Sequence, residues 1–105
     1  MDVSGEKLCK LADIAIKVCK SKQQDEIRNR IENSLRECNR VEARGRRKRS
    51  SELIIGANKI ECELIRLESI YNRVKEKEGK IDSIEEYIKT CREYQKSLLK
   101  EKNHL

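Results

Sequence analysis

Apolar residues return along most of this chain at helical spacing, and the places where the rhythm fails mark its turns. Leu8, Leu11, Ala12, Ala15, Val18 and Cys19 share one face of a 3.6-residue repeat, with Lys7, Lys10, Asp13, Lys17 and Lys20 elsewhere. That pattern predicts an amphipathic helix over about 4–20. Ser21-Lys22-Gln23-Gln24 has the form of a capping box, and a second helix over 22–43 follows with a narrow stripe of Ile27, Ile31, Leu35, Cys38 and Val41. In Arg44-Gly45-Arg46-Arg47-Lys48-Arg49-Ser50 the apolar pattern lapses and like charges repel, so 44–50 reads as a loop.

The third helix, 51–78, has the most regular repeat. Leu53, Ala57, Ile60, Leu64, Leu67, Tyr71 and Val74 alternate spacings of four and three, the heptad rhythm of a helix that buries one seam. Ile54, Ile65 and Ile70 widen the stripe and favour packing against more than one neighbouring helix. Gly79 suits the left-handed position past a helix end, and Asp82 or Ser83 can cap a last helix over 83–102, Ser83 with Glu86 as a second capping box. That helix carries Ile84, Ile88, Cys91 and Leu98 on one face, with Gln95 interrupting it and Tyr87 and Tyr94 flanking.

These elements predict an all-α chain, a small antiparallel bundle of three to four helices in a single domain. Leu53, Ile60, Leu64, Leu67, Tyr71 and Val74 are the candidate oligomerisation residues if the heptad seam builds a coiled-coil dimer; the same stripe also suits the interior of the chain's own bundle. The layer-like spacing of Val74, Ile81, Ile84, Ile88, Cys91 and Leu98 is similar to that of SNARE-type fusion helices over about a quarter of the chain. It departs from that pattern at Lys77, where a central Gln or Arg belongs, and no membrane anchor accompanies it.

Composition supports helix throughout. There is no Pro, Phe or Trp, and 42% of the 105 residues are charged. The three tyrosines leave Ile, Leu, Val and Cys as the main core formers, so a lone chain is expected to be marginal and to gain from a second copy or a helical partner. Apolar runs are far too short for membrane insertion, and the first residues lack the apolar core of a signal peptide. Five cysteines, odd in number and widely spaced, fit neither a zinc site nor a disulfide framework. Cys38, Cys62 and Cys91 fall on or beside the apolar stripes, and the reading is core thiols in a reducing cytoplasm or nucleus.

Catalysis has little to work with. The one histidine, His104, stands beside the carboxyl end, and no Gly-rich phosphate loop or nucleophile–base–acid set is present. The expectation is a non-enzymatic protein with no catalytic residues, no metal and no cofactor.

Charge is the distinguishing feature. Residues 1–50 hold fourteen Lys and Arg against eight Asp and Glu, whereas 51–105 hold eleven of each, so the net +6 belongs to the first half. Arg40, Arg44, Arg46, Arg47, Lys48 and Arg49 crowd one inter-helix junction. Guanidinium forks grip phosphate bidentately, and the next helix start adds backbone donors, so RNA or DNA backbone is the expected partner, bound with little regard to sequence. Few aromatics argue against stacking on single strands and favour a duplex. In architecture the chain resembles several viral and cellular RNA-binding proteins, including small dsRNA-binding silencing suppressors that dimerise through helices. That resemblance implies phosphate contacts from Arg44, Arg46, Arg47, Lys48 and Arg49 and a dimer built on the heptad helix. Lys7, Lys10, Lys17, Lys20, Arg28, Arg30 and Arg36 can widen the footprint. The run also fits a nuclear-import signal on a helical adaptor or assembly subunit, an ordinary solvated loop, or a basophilic kinase site at Ser50 or Ser51.

Overall fold

The computed structural model describes residues 4–44 and 49–103, with the side chains of 23, 102 and 103 left aside. Its helices are α1 (Gly5–Val18), α2 (Asp25–Ala43), α3 (Ser50–Glu78) and α4 (Asp82–Asn103), with a short 3₁₀ turn at Lys22–Gln24. Among the described residues there is no strand. His104 and the basic residues Arg46, Arg47 and Lys48 lie outside the described residues.

Each helix lies against two others: α1 on α2 and α4, and α3 on α2 and α4. Gly5 meets Glu42, Arg44 reaches Glu52, Gln24 reaches Glu78 and Gln95 reaches Ala57, so neighbours run antiparallel in an up-down-up-down four-helix bundle. The result is a rod of 45 × 21 × 21 Å. At 1.5 Å per residue the 29 residues of α3 span nearly the whole long axis, and the 14 of α1 about half of it.

The heptad stripe of α3 is the centre of the core. Leu53, Ile60, Leu64, Leu67, Tyr71 and Val74 are 0–7% exposed in the single chain, because α2 and α4 close over α3 from both sides. The seam expected to join two copies is therefore occupied from within, and using it between copies would require the bundle to open. The SNARE-like spacing fails for a related reason: Gly79, at φ +92°, ends α3 and turns the chain back, so the layers belong to two helices.

Tyr87 and Tyr94 sit in the core and not at its flank, where Ile84, Tyr87, Cys91, Tyr94 and Leu98 keep a three-four-three-four spacing. Ile88 is only half-buried. What makes this possible is a partner for each phenol. The Tyr87 hydroxyl lies 2.6 Å from Ser34 Oγ and 3.3 Å from the Ile31 carbonyl; Tyr94 donates to Glu42 at 2.7 Å and to the Cys38 carbonyl at 3.4 Å. Ser34 accordingly takes the buried position on α2 that the stripe assigned to Leu35, which is half-buried. On α1, Leu8, Ala12, Ala15 and the following Cys19 are buried, while Val18 is exposed.

The caps also differ in part from expectation. Gln24 reaches back to accept from the backbone N–H groups of Lys20 and Ser21, and its amide donates to Glu78, tying the start of α2 to the end of α3. Ser83 makes no cap, since α4 begins one residue earlier and Ser83 Oγ is buried without a hydrogen bond. Tyr71 does that work instead: its hydroxyl accepts from the Ile81 N–H at 2.9 Å and donates to Glu85 at 2.6 Å.

Candidate nucleic-acid interface

The junction between α2 and α3 is held from both flanks by one carboxylate. Glu52, in the first turn of α3, accepts from the Arg44 guanidinium at 2.8 Å through one oxygen and from the backbone N–H of Arg49 at 3.2 Å through the other. Glu this near a helix start is favoured by the dipole, and here it also closes the base of the link 45–48. Arg44 keeps 59% of its side chain in solvent and Arg40, paired to Glu37 at 3.0 Å, keeps 61%, so both can still meet a ligand. Arg36 is exposed and donates to Asn33.

Beneath these cations α2 and α3 come unusually close. A Cβ added to Gly56 would stand 2.6 Å from Val41 Cγ2, so only glycine lets the two backbones approach at this level. A cleft of about 120 Å³ opens beside the contact, floored by Val41, Leu53, Ile55 and Gly56 and rimmed by Arg40, Arg44 and Lys59, with Glu37 and Glu52 between them. Cations outnumber anions on this rim, although two of them are already paired.

Of the six expected phosphate-binding residues, Arg40, Arg44 and Arg49 are brought to one end of the rod, and the remaining three belong to the link between the last two. Sequence reasoning missed Lys59 and the role of Glu52. The signal for Glu52 was present, three positions after Arg49 and opposite in sign.

Titration behaviour elsewhere reflects burial more than function. Burial raises the Tyr87 and Tyr94 phenols above their ordinary range, with Glu42 adding to the effect on Tyr94. Contact with Cys91, whose sulfur is 3.8 Å away, together with burial pushes the Cys38 thiol up, so it stays protonated. Burial likewise raises Cys19. Cys62, by contrast, is exposed on α3 and takes no part in the core, contrary to the reading of it as a stripe residue.

Among the described residues no cluster of three metal-ligating side chains occurs, and no helix is long and apolar enough to cross a membrane. Comparison with known protein families, with curated proteins and with solved structures finds no match to this chain.

Proposed function

We propose that the chain is a non-enzymatic nucleic-acid-binding protein that holds the phosphate backbone of duplex RNA, without sequence preference, through the junction of α2 and α3. The observation that carries this reading is the density of cations along the chain there: Arg40, Arg44, Arg46, Arg47, Lys48 and Arg49 occupy six of ten consecutive positions, and of these Arg40, Arg44 and Arg49 stand at one end of a packed bundle. Backbone contacts of this kind supply affinity and steering through counterion release. Nothing at the site offers a stacking platform, because all three tyrosines are buried.

The alternative, a helical adaptor whose basic run is an import signal, would need another surface than the heptad stripe, which the chain's own helices cover. The test is binding of the purified protein to labelled duplex RNA, duplex DNA and single strands at two salt concentrations, beside a variant with Arg46, Arg47, Lys48 and Arg49 changed to Ala. Salt-sensitive duplex binding lost in the variant supports the proposal. No binding at low salt by the intact chain sinks it.

A further inference from the structure

Cross-helix pairings fix which residues share an end of the rod. Gly5 with Glu42, Cys9 with Asn39, Arg44 with Glu52 and Gln95 with Ala57 gather the start of α1, the end of α2, the start of α3 and the end of α4. Gln24 with Glu78 and Tyr71 with Ile81 gather the opposite termini. Dividing the rod at the level of the Arg92–Glu61 pair puts 4–12, 36–44, 49–61 and 92–103 in one half and 13–35 with 62–91 in the other.

The first half carries eleven Lys and Arg against seven Asp and Glu; the second carries eleven against eleven. The fold thus concentrates the charge surplus on one end of a long object. We infer that the protein meets duplex nucleic acid with this end of the bundle and not with its side. Lys7 of α1, Lys59 of α3 and Lys96 and Lys100 of α4 join Arg40, Arg44 and Arg49 in one phosphate-binding face. The inference rests on the nucleic-acid reading above and names the surface that reading would use.

Three observations favour this geometry. Lys7, Lys59, Lys96 and Lys100 are exposed, and among the described residues none has a carboxylate within 4 Å, so each is free to meet phosphate. Pairing does not separate the halves, since among the described residues Lys17, Lys20, Lys22, Arg73, Lys77 and Lys89 of the far half also lack a carboxylate within 4 Å; the difference lies in net charge, the far half holding a carboxylate for every cation. The end of the rod is 21 Å across, and a duplex carries ~12 phosphate charges over that length, enough to engage the whole face. An anionic lipid surface is the weaker fit. Exposed apolar side chains do not follow the charge: Ile54, Ile55 and Leu99 lie in the basic half, Ile14, Val18 and Ile65 in the neutral one.

End-on contact also removes Lys17, Lys20, Arg28 and Arg30 from the footprint, since all four belong to the neutral half.

Two variants of equal composition test the inference, one with Lys7, Lys59, Lys96 and Lys100 changed to Ala and one with Lys17, Lys20, Lys77 and Lys89 changed to Ala. All eight lysines are exposed, and circular dichroism checks that both variants keep the helical fold. Affinity for a labelled RNA duplex is measured against salt, with vesicles containing phosphatidylserine as a second probe. The expected result is at least a ten-fold loss for the first variant, with the slope of log affinity on log salt shallower by up to about 0.9 per contact removed, and less than a two-fold change for the second. Equal losses in both would mean that net charge alone matters and would overturn end-on binding while leaving duplex binding in place. If the intact chain binds vesicles and not duplex, the nucleic-acid reading falls, and end-on duplex binding falls with it.

Discussion

Tyr71 donates its hydroxyl proton to Glu85 across the α3–α4 turn at 2.6 Å, and the same oxygen accepts from the Ile81 N–H. Burial first, and then the hydrogen bond to Glu85, pushes the Tyr71 phenol up to about 12. A phenol raised above its unfolded value contributes stability that is complete below about pH 10 and is lost as pH rises towards 12. Chemical denaturation across that window is therefore expected to show a fall in stability that is smaller in Tyr71→Phe, the remainder coming from the raised phenols of Tyr87 and Tyr94. At neutral pH the same substitution leaves the Ile81 N–H without its acceptor and is expected to cost about 1–2 kcal/mol. Glu85 gives the opposite slope at acid pH. Its carboxyl is lowered by Tyr71 and by Lys75 and Lys80, so its share is lost as pH falls through the carboxylate range.

Gly56 and Val41 set the spacing of α2 and α3. Glycine to alanine within a helix ordinarily gains up to about 1 kcal/mol, but here the new methyl lands on Val41 Cγ2, and relieving such overpacking costs about 1–3 kcal/mol. Gly56→Ala is expected to destabilise the intact chain and to stabilise a Val41→Ala background. Thermal or urea denaturation of the four proteins in that cycle reads the change of sign, and a gain in both backgrounds would contradict the close approach.

The thiols report the packing independently. Cys62 is exposed and Cys9 half-buried, whereas Cys19, Cys38 and Cys91 are in the core. Under native conditions a thiol reagent should modify Cys62 rapidly and Cys9 more slowly, leaving the other three until denaturant is added. Peptide mapping after brief labelling checks this, and early modification of Cys38 would argue against its contact with Cys91 across the core.

Glu52 competes with any phosphate for Arg44. Glu52→Gln removes one negative charge from the face while keeping an acceptor for the Arg49 N–H. Exposed ion pairs are worth about 0.2–1 kcal/mol, so duplex binding should tighten by up to about five-fold. Weaker binding by this variant would mean that the Glu52 clamp orders the junction more than it blocks it.

Much of the architecture was legible in the hydrophobic rhythm. The stripes of Ile27, Ile31, Cys38 and Val41 and of Leu53 through Val74 are the observed core, since a repeat of three and four has one low-energy solution in a proline-free chain. The tyrosines were harder to place. A phenol is buried only when its hydroxyl finds a partner, and the partners of Tyr87 and Tyr94 lie more than fifty residues earlier, at Ser34 and Glu42. The junction was visible as a run of like charge. Lys7 was also legible as widening it, but Lys59, Lys96 and Lys100 were not, because α3 and α4 bring them to the basic half of the rod only after the helices pair. The sequence instead suggested Lys17, Lys20, Arg28 and Arg30, which antiparallel pairing carries towards the opposite end.

The central claim, a nucleic-acid face confined to one end of the bundle, is tested most directly by backbone amide shift mapping of the labelled protein titrated with a short RNA duplex. The account predicts perturbation at Lys7–Lys10, at Arg36–Arg44 and Arg49–Lys59, and at Lys96–Lys100, with the α3–α4 turn around Gly79–Asp82 unchanged. Perturbation centred on that turn, or spread evenly along α1 and α2 to Lys20 and Arg28, would contradict it.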